Sequence, residues 1–270
     1  MKNNQSIGQC RLCGKMEKLS YEHVPPKAAF NKSRIKMVAG KELVDFICSP
    51  ALPWETFKAK GVIKQNGSGG YYLCQHCNST TGSWYDPYYL TFVKGILHAL
   101  TQEIVENEKQ ILIETGSFQP LPIIKQIILM FFDINPYGFG DQSLRDFVMN
   151  KECNEGFNYQ KYKIYCYLVK GPLERRAGLS GLLIKNNKGT LQTVLLSEIA
   201  TLPIGFTMYV DMPSDYSPKG CDITEFTTYH FDDKVKATIC LPILETNSWI
   251  ANDFRTKQDI ESILLENPTF

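Results

Sequence analysis

The chain has 270 residues, of which 43% are hydrophobic and 21% charged, and its formal net charge is +1. These values are typical of one large or two modest globular domains, and they exclude a disordered or fibrous protein. No apolar run reaches the roughly 18 residues that cross a bilayer, and the polar start MKNNQSIGQC lacks the apolar segment of a signal peptide. We therefore expect a cytoplasmic protein with no membrane partner.

Charge is distributed unevenly along the chain. Residues 1–70 contain 12 Lys and Arg against 5 Asp and Glu, whereas residues 71–270 contain 17 against 23. A basic N-terminal segment favours a polyanionic partner such as nucleic acid. Charge alone does not separate this interpretation from lysines that simply solvate loops.

The N-terminal part of the chain combines short strands, turns and one long helix. A strand that carries His23 ends at two prolines. Residues 27–66 form a long basic excursion with a short helix near 53–60, and a Gly-rich turn over 66–70 returns the chain. Residues 71–73 are a predicted strand, and apolar residues at helical spacing predict a helix over 80–106.

The remainder of the chain is richer in β-type sequence. A second helix is predicted over 120–132 and a short one over 256–265. Turns are predicted at 186–189 and 232–233, between strands over 162–169, 180–185, 191–196, 205–211, 222–231 and 234–241. The predicted class is α+β, with one domain over 1–110 and a sheet-rich second domain over 111–270, the boundary falling within 105–160.

Two Cys-x-x-Cys pairs, Cys10 with Cys13 and Cys74 with Cys77, predict one structural zinc site. Each tight turn presents two thiolates at about 2.3 Å from one ion, and four protein ligands leave no position open for catalysis. A thioredoxin-like motif is the competing interpretation of either pair alone, and a zinc-thiolate redox switch that of both together. The remaining cysteines are interpreted as small buried hydrophobes: Cys48, Cys153, Cys166, Cys221 and Cys240.

Three polar residues adjoin the cysteine pairs. Glu22 and His23 follow the first pair, and Asn78 follows Cys77 directly. Glu22 and Asn78 offer hard oxygen ligands to a divalent cation, while neutral His23 can take a proton from water. A zinc site that returns the chain next to its start would bring the three together. The competing interpretation is a surface Glu-His pair and an Asn in a turn.

The order of these motifs resembles one family. Cys-x-x-Cys, then Glu-His-Val-Pro-Pro, then Leu-Cys-x-x-Cys-Asn-x-x-x-Gly, within residues 8–85, resembles the four-cysteine HNH endonucleases. The resemblance implies a ββα-metal (treble-clef) unit in which the cysteines hold structural zinc. His23 would be the general base, and Glu22 and Asn78 would bind a catalytic Mg²⁺ or Mn²⁺. It further implies phosphodiester hydrolysis, nicking by a monomer, double-strand cleavage by a dimer, and a place in bacterial defence or mobile elements.

The chain departs from the family pattern in three places. The segment between His23 and Cys74 is longer than in most members, so the hairpin must contain an insertion. The family's middle Asn, which braces the loop carrying the base, has Asn66 as its best-placed counterpart and Asn31 as the other. Thr81 stands where many members have Lys or His.

Four basic residues follow the proposed base closely enough to contact phosphates: Lys27, Lys32, Arg34 and Lys36. No base-reading pattern is visible, so non-specific or structure-selective cleavage is expected, with DNA favoured over RNA. Residues 135–270 carry no recognised motif and are expected to bind a regulatory partner or form a homodimer. The alternative function is a catalytically inactive zinc-knuckle module that binds nucleic acid or protein.

Overall fold

The structure is a computed structural model that describes residues 6–47, 52–102, 109–185 and 189–266. The helices are α1 (Gly40–Ile47), α2 (Gln75–Gln102), α3 (Pro120–Ile134), α4 (Gln142–Met149) and α5 (Lys257–Glu266), with 3₁₀ turns at Pro53–Lys58 and Thr224–Thr228. The strands are β1 (Ile7–Gln9), β2 (Met16–His23), β3 (Ile35–Met37), β4 (Val62–Lys64), β5 (Gly69–Cys74), β6 (Gln110–Glu114), β7 (Tyr162–Lys170), β8 (Arg175–Lys185), β9 (Leu191–Ala200), β10 (Ile204–Val210), β11 (Cys221–Asp222) and β12 (Thr238–Glu245).

A small antiparallel sheet, in the order β1-β2-β5, contains both cysteine pairs and the Glu22-His23 segment. β2 and β5 pair so that Glu22 lies opposite Gly70 and His23 opposite Gly69. A side chain at Gly69 would collide with the main-chain oxygen of Glu22, so glycine permits this close pairing. α2 begins directly after β5 and packs against both strands. Two antiparallel strands followed by a helix therefore frame the site.

The long connection between β2 and β5 contains secondary structure of its own. β3 and β4 form their own antiparallel pair within it, and α1 and a 3₁₀ turn lie between those two strands. The turn at Asn66-Gly67 returns the chain to β5, and Gly67 has a positive φ of 79° that suits glycine.

A larger sheet occupies the C-terminal half, in the order β6-β12-β7-β10-β9-β8. Its neighbours are antiparallel except β12 and β7, which run parallel. β8 and β9 form a long hairpin that is paired up to Lys185 and Leu191. The predicted turn of this hairpin at 186–188 lies outside the described residues.

α3 forms the centre of the molecule. Its residues from Pro120 to Asp133 are all buried. Most of them are apolar, which is typical of a helix surrounded by other elements, but Lys125, Gln126 and Asp133 are buried with them. α3 contacts α2 and β5 on one side and β8 and β9 of the large sheet on another. The small sheet with its cysteines is therefore packed onto the rest of the chain through one buried helix.

The mixed helix-and-sheet class and the sheet-rich C-terminal part are confirmed. The predicted strand over 222–231 is wrong after its first residue. Asp222 accepts a hydrogen bond from the main-chain N–H of Thr224 (2.8 Å), and the Thr224 hydroxyl accepts one from the N–H of Ile164 (2.9 Å). These bonds start the 3₁₀ turn instead.

Other boundaries are shifted rather than wrong. The helix predicted over 80–106 begins at Gln75, directly after Cys74, so Cys77 of the second cysteine pair already belongs to it. The strand predicted over 234–241 is displaced to Thr238–Glu245. Within the described residues, none of the helices combines the length and apolarity that crossing a membrane requires.

Candidate functional site

The four predicted zinc ligands form a compact cluster. Cys10 and Cys13 lie on the turn between β1 and β2, while Cys74 ends β5 and Cys77 lies in the first turn of α2. Their sulfur atoms all lie within 4.8 Å of one another, and Sγ of Cys13 is 3.9 Å from Sγ of Cys74. Tetrahedral zinc with bonds of 2.3 Å separates its sulfurs by about 3.8 Å. The four thiols lie close enough to hold one metal ion, and their donors and spacing fit zinc.

Main-chain hydrogen bonds shape the first cysteine turn. The N–H of Gly14 donates to the carbonyl of Cys10 (2.9 Å), and the N–H of Cys10 donates to the carbonyl of Lys15 (2.9 Å). Gly14 has a φ of 76°, which glycine adopts without strain. The N–H of Arg11 donates to the carbonyl of Tyr72 on β5 (3.0 Å), so the two cysteine pairs are held against each other by the backbone.

The electrostatics of the cluster also favour a cation. A hydrogen bond from the Cys77 thiol lowers the pKa of Cys10 to about 4. The same interaction raises the pKa of Cys77, because a second thiolate would lie beside the first. Four thiols this close can all ionise together only when a metal ion balances their charge.

Arginines bind the first cysteine turn to the C-terminal half. Nη1 of Arg145, on α4, donates to the carbonyls of Arg11 (2.9 Å) and Leu12 (3.1 Å), and its Nη2 donates to the carbonyl of Phe139 (2.6 Å). The guanidinium of Arg11 donates in turn to the main-chain oxygen of Asp133 at the end of α3. Arg11 is therefore a structural link between the first cysteine turn and α3.

Glu22 and Asn78 are brought together by the small sheet and α2. Nδ2 of Asn78 donates to the Ser20 hydroxyl (3.0 Å), and Asn78 lies close enough to Glu22 to lower the pKa of that carboxyl. Burial, and secondarily the charge of Asp86, raises the pKa of Glu22 to about 7, although Asn78 opposes this shift. A half-buried carboxyl beside an amide oxygen is a suitable donor pair for a hard divalent cation.

His23 lies on the opposite face of β2 from Glu22, as successive strand residues do. Its ring packs edge-on against Tyr21, with centroids 5.0 Å apart, and its Nε2 is 3.0 Å from the carbonyl oxygen of Asn66. A carbonyl only accepts hydrogen bonds, so this contact assigns the proton to Nε2 and leaves Nδ1 as the basic nitrogen.

The two Asn residues considered as the loop brace both contact the loop. Nδ2 of Asn31 donates to the carbonyls of Pro25 (2.6 Å) and Ser68 (2.7 Å), and its Oδ1 accepts from the N–H of Ser68 (2.7 Å). Asn31 is thus a buried brace between the segment after the proposed base and the strand returning to the cysteines. Asn66 contributes through its main-chain carbonyl, on the imidazole of His23.

Two further carboxyls near Glu22 were missed by sequence reasoning. Asp86 lies two turns after Asn78 on α2, and Asp133 is in the last turn of α3. Burial raises the pKa of Asp86 to about 6. Burial, and then the charge of Glu22, raises the pKa of Asp133 well above its usual range. The spacing of four residues from Asn78 to Gly82 to Asp86 was the signal that could have found Asp86.

No family model, curated protein or solved structure matches this chain. The likeness to HNH endonucleases therefore depends on the quoted motifs and on the geometry described above.

The remaining predicted site residues are placed as follows. Thr81 is buried, and its hydroxyl donates to the carbonyl of Cys77 (2.8 Å), so it packs within α2. The four basic residues predicted to contact phosphates are all exposed: Lys27, Lys32, Arg34 and Lys36. The large sheet reaches the same region, because Nε of Arg176 donates to the carbonyl of Val24 (2.8 Å), the residue after His23.

Two clefts lie beside this site rather than in it. A cleft of about 540 Å³ lies between the β3–β4 excursion and the large sheet, with Trp54 and Trp249 among its walls. A neighbouring cleft of about 310 Å³ is lined by Pro25, Asn31 and Arg176. Neither cleft is lined by Glu22, Asn78 or the four clustered cysteines, so cleft size does not point to the metal centre.

The other cysteines differ from the prediction of small buried hydrophobes. Cys166 is buried, but Cys153, Cys221 and Cys240 are partly exposed. Cys48 lies outside the described residues. Cys221 lies opposite Cys166 in the pairing of β11 with β7. Among the described residues, none of these cysteines belongs to the four-cysteine cluster.

Proposed function

We propose that this chain is a metal-dependent endonuclease of the HNH type that hydrolyses phosphodiester bonds in nucleic acid, with DNA favoured over RNA. The observation that carries the proposal is the meeting of Glu22 and Asn78 beside the four-cysteine cluster. The neighbour of Glu22 is His23, whose Nε2 contacts a main-chain carbonyl, so that Nδ1 is the basic nitrogen. This combination is what the family resemblance predicts.

Separate residues would serve the two proposed metals. The four cysteines would hold structural zinc, whose function is to fix the two turns. Glu22 and Asn78 would hold Mg²⁺ or Mn²⁺, because their oxygens are the donors that such ions prefer. An ion bound there supplies charge neutralisation at the phosphate and at the departing 3′ oxygen.

His23 would act as the general base through Nδ1. The carbonyl of Asn66 holds the opposite ring nitrogen (3.0 Å from Nε2) and would stabilise the positive charge that the ring gains when it takes a proton from water. In-line displacement needs the attacking water and the leaving oxygen on opposite sides of phosphorus. Because Glu22 and His23 are successive residues near the end of β2 and their side chains point to opposite faces, the proposal requires both to reach the phosphate around the end of that strand.

The surface around His23 supports a nucleic-acid substrate. Lys27, Lys32 and Arg34 are exposed on the segment that follows it, where they would contact phosphates without reading sequence. Tyr21 and Tyr71 form an exposed edge-to-face pair, 5.5 Å between centroids, and Tyr21 also contacts His23. Exposed aromatic rings of this kind offer stacking surfaces to unpaired bases.

A plasmid-nicking assay with Mg²⁺ or Mn²⁺ tests the proposal. His23→Ala should reduce nicking by about 10²-fold or more, the contribution of a general base, while zinc content and nucleic-acid binding stay unchanged. His76→Ala is the matched control, because His76 is an exposed histidine between two clustered cysteines. Absence of nicking by the wild type on DNA and RNA, or full activity of His23→Ala, would contradict the proposal.

The second candidate is a zinc-knuckle module that binds nucleic acid or protein without cutting it. One observation favours it: within the described residues, the four cysteines are the only group of three or more Cys, His, Asp or Glu ligands so closely spaced. This candidate predicts a mobility shift of nucleic acid with no cleavage at any divalent-metal concentration. Cytoplasmic location, homodimerisation, a regulatory partner and a place in defence or mobile elements stay predictions.

A further inference from the structure

One face of α2 carries both Asn78 and Asp86, and the family resemblance gives Asp86 no role. Asn78, Gly82 and Asp86 are spaced by four residues, so they follow one another along the same side of the helix. A Cβ built at Gly82 would lie 3.9 Å from Oδ1 of Asn78 and 3.5 Å from Oδ2 of Asp86. Glycine at this position therefore leaves space open between two oxygen donors.

Buried oxygens around that space lack hydrogen-bond partners. Oδ1 of Asp86 is buried and accepts no hydrogen bond from the described residues. Asp133, of which only 1% is exposed, likewise has a buried Oδ1 with no partner there. Its side chain lies within the electrostatic influence of Glu22 and Asp86. Two helices and one strand thus direct carboxyl groups to one region.

Within the described residues these carboxyls have no ion-pair partner, although the charge of Arg11 acts to lower the pKa of Asp133. Arg11 is near, but its guanidinium donates to the main-chain oxygen of Asp133. Burying carboxylates without a counter-charge is costly, and a coordinated divalent cation is one of the few ways in which proteins compensate it.

We propose that Asp86 is a third ligand of the divalent cation held by Glu22 and Asn78, and that Gly82 keeps the ion's position open. Asp133 brings a further buried carboxyl to the same region from α3. This inference rests on the proposed function, because that function supplies the cation. An amide oxygen with two carboxylates is an all-oxygen set that suits Mg²⁺ or Mn²⁺ and disfavours the thiolate-seeking metals of the neighbouring cluster.

The test is Mn²⁺ binding to the zinc-loaded full chain, measured by isothermal titration calorimetry and by the electron paramagnetic resonance signal of free Mn²⁺. Asp86→Asn should weaken Mn²⁺ affinity by about tenfold or more, as loss of a contact to a bound metal does. Gly82→Ala should weaken it as well, because the methyl group would occupy the space between the oxygens. Asp146→Asn, which neutralises an exposed carboxylate on α4, is the control and should bind like wild type.

Thermal unfolding without Mn²⁺ separates a ligand from a structural residue. Asp86→Asn should raise the melting temperature, because it removes a buried carboxyl that has no partner, and should abolish the further rise that Mn²⁺ gives the wild type. A lower melting temperature in Asp86→Asn, with Mn²⁺ affinity retained, would overturn the inference.

Nicking measured on the same proteins keeps this inference distinct from the proposed function. Wild-type Mn²⁺ binding and nicking, with Asp86→Asn unchanged in affinity, would overturn the role of Asp86 and leave the nuclease proposal standing. Mn²⁺ binding that Asp86→Asn loses, in a protein that never nicks, would support the ion site and contradict the nuclease. A wild type that binds no second ion would overturn both.

Discussion

Replacing Glu22 by Gln should stabilise the zinc-loaded protein in the absence of Mg²⁺ and Mn²⁺, and more so as the pH rises. Burial of Glu22 raises its pKa from 4.5 to about 7. The folded state therefore binds more protons than the unfolded state between these values, so the stability of the wild type falls as the pH rises through them. Asp86, with a pKa raised to about 6, acts in the same direction and is present in both proteins.

The magnitude follows from the two pKa values of Glu22. The raised pKa of Glu22 lowers the unfolding free energy of the wild type by about 1.4 kcal/mol at pH 5.5 and by about 3 kcal/mol at pH 8, as order-of-magnitude values. The advantage of Glu22→Gln in unfolding free energy should grow by about the difference, because glutamine has no charge to bury. A lower pH is unsuitable, since protonation of the cysteine thiolates releases zinc.

Urea unfolding, followed by circular dichroism and by tryptophan fluorescence, measures this difference across pH 5.5–8. Glu17→Gln is the matched control, because Glu17 is an exposed residue of the same strand. Added Mn²⁺ should reverse the order, since only the wild type retains the full ligand set and gains stability by mass action. A Glu22→Gln protein that is less stable than wild type at pH 8, or whose advantage does not grow with pH, would refute the reasoning.

Three further perturbations test other parts of the account. Cys77→Ser should lower bound zinc well below one equivalent by elemental analysis, and unchanged zinc would contradict the ligand assignment. Arg145→Met should reduce the urea-unfolding free energy by on the order of 4 kcal/mol, because three carbonyl acceptors lose a charged donor; a loss below about 1 kcal/mol would contradict the linking role. Arg176→Ala should slow nicking with zinc retained, since it frees the carbonyl of Val24 beside His23; an unchanged rate would exclude that support.

Local spacing made the metal cluster predictable. Two residues between the cysteines of each pair define a tight turn in almost any context, so the four ligands could be assigned before their separation in space was known. Asn78 follows Cys77 directly and Glu22 lies on the strand that leaves the first cysteine turn, so their proximity could be expected from the cluster. Asn78 influences the pKa of Glu22, so the two side chains lie near each other. The roles of both residues in catalysis stay predictions.

Contacts between distant segments were not predictable in the same way. Arg145 lies more than 130 residues from the first cysteine turn, and nothing in its neighbourhood indicates that its guanidinium reaches the carbonyls of Arg11 and Leu12. The strand expected over 222–231 failed for a related reason, since a cap by Asp222 and a hydroxyl contact of Thr224 replaced strand pairing. The periodicity of apolar residues does not predict such side-chain hydrogen bonds.

The position of Asp86 was predictable from the sequence, but its surroundings were not. Its place on the helix face of Asn78 follows from helical spacing alone. What the sequence does not contain is the burial of its Oδ1 without a partner, or the approach of Asp133 from α3. A role for Asp86, eight positions after Asn78, could be proposed only when the packing of β2, α2 and α3 was known.

Anomalous diffraction from crystals of the full chain grown with Mn²⁺ tests the central claim most directly. Maps calculated at the zinc and manganese edges should show a zinc peak among Cys10, Cys13, Cys74 and Cys77. A separate manganese peak should be bonded to Oδ1 of Asn78 and a carboxylate oxygen of Glu22. Manganese absent from Glu22 and Asn78 at saturating concentration, or found only among the sulfurs, would contradict a catalytic centre built beside the structural one.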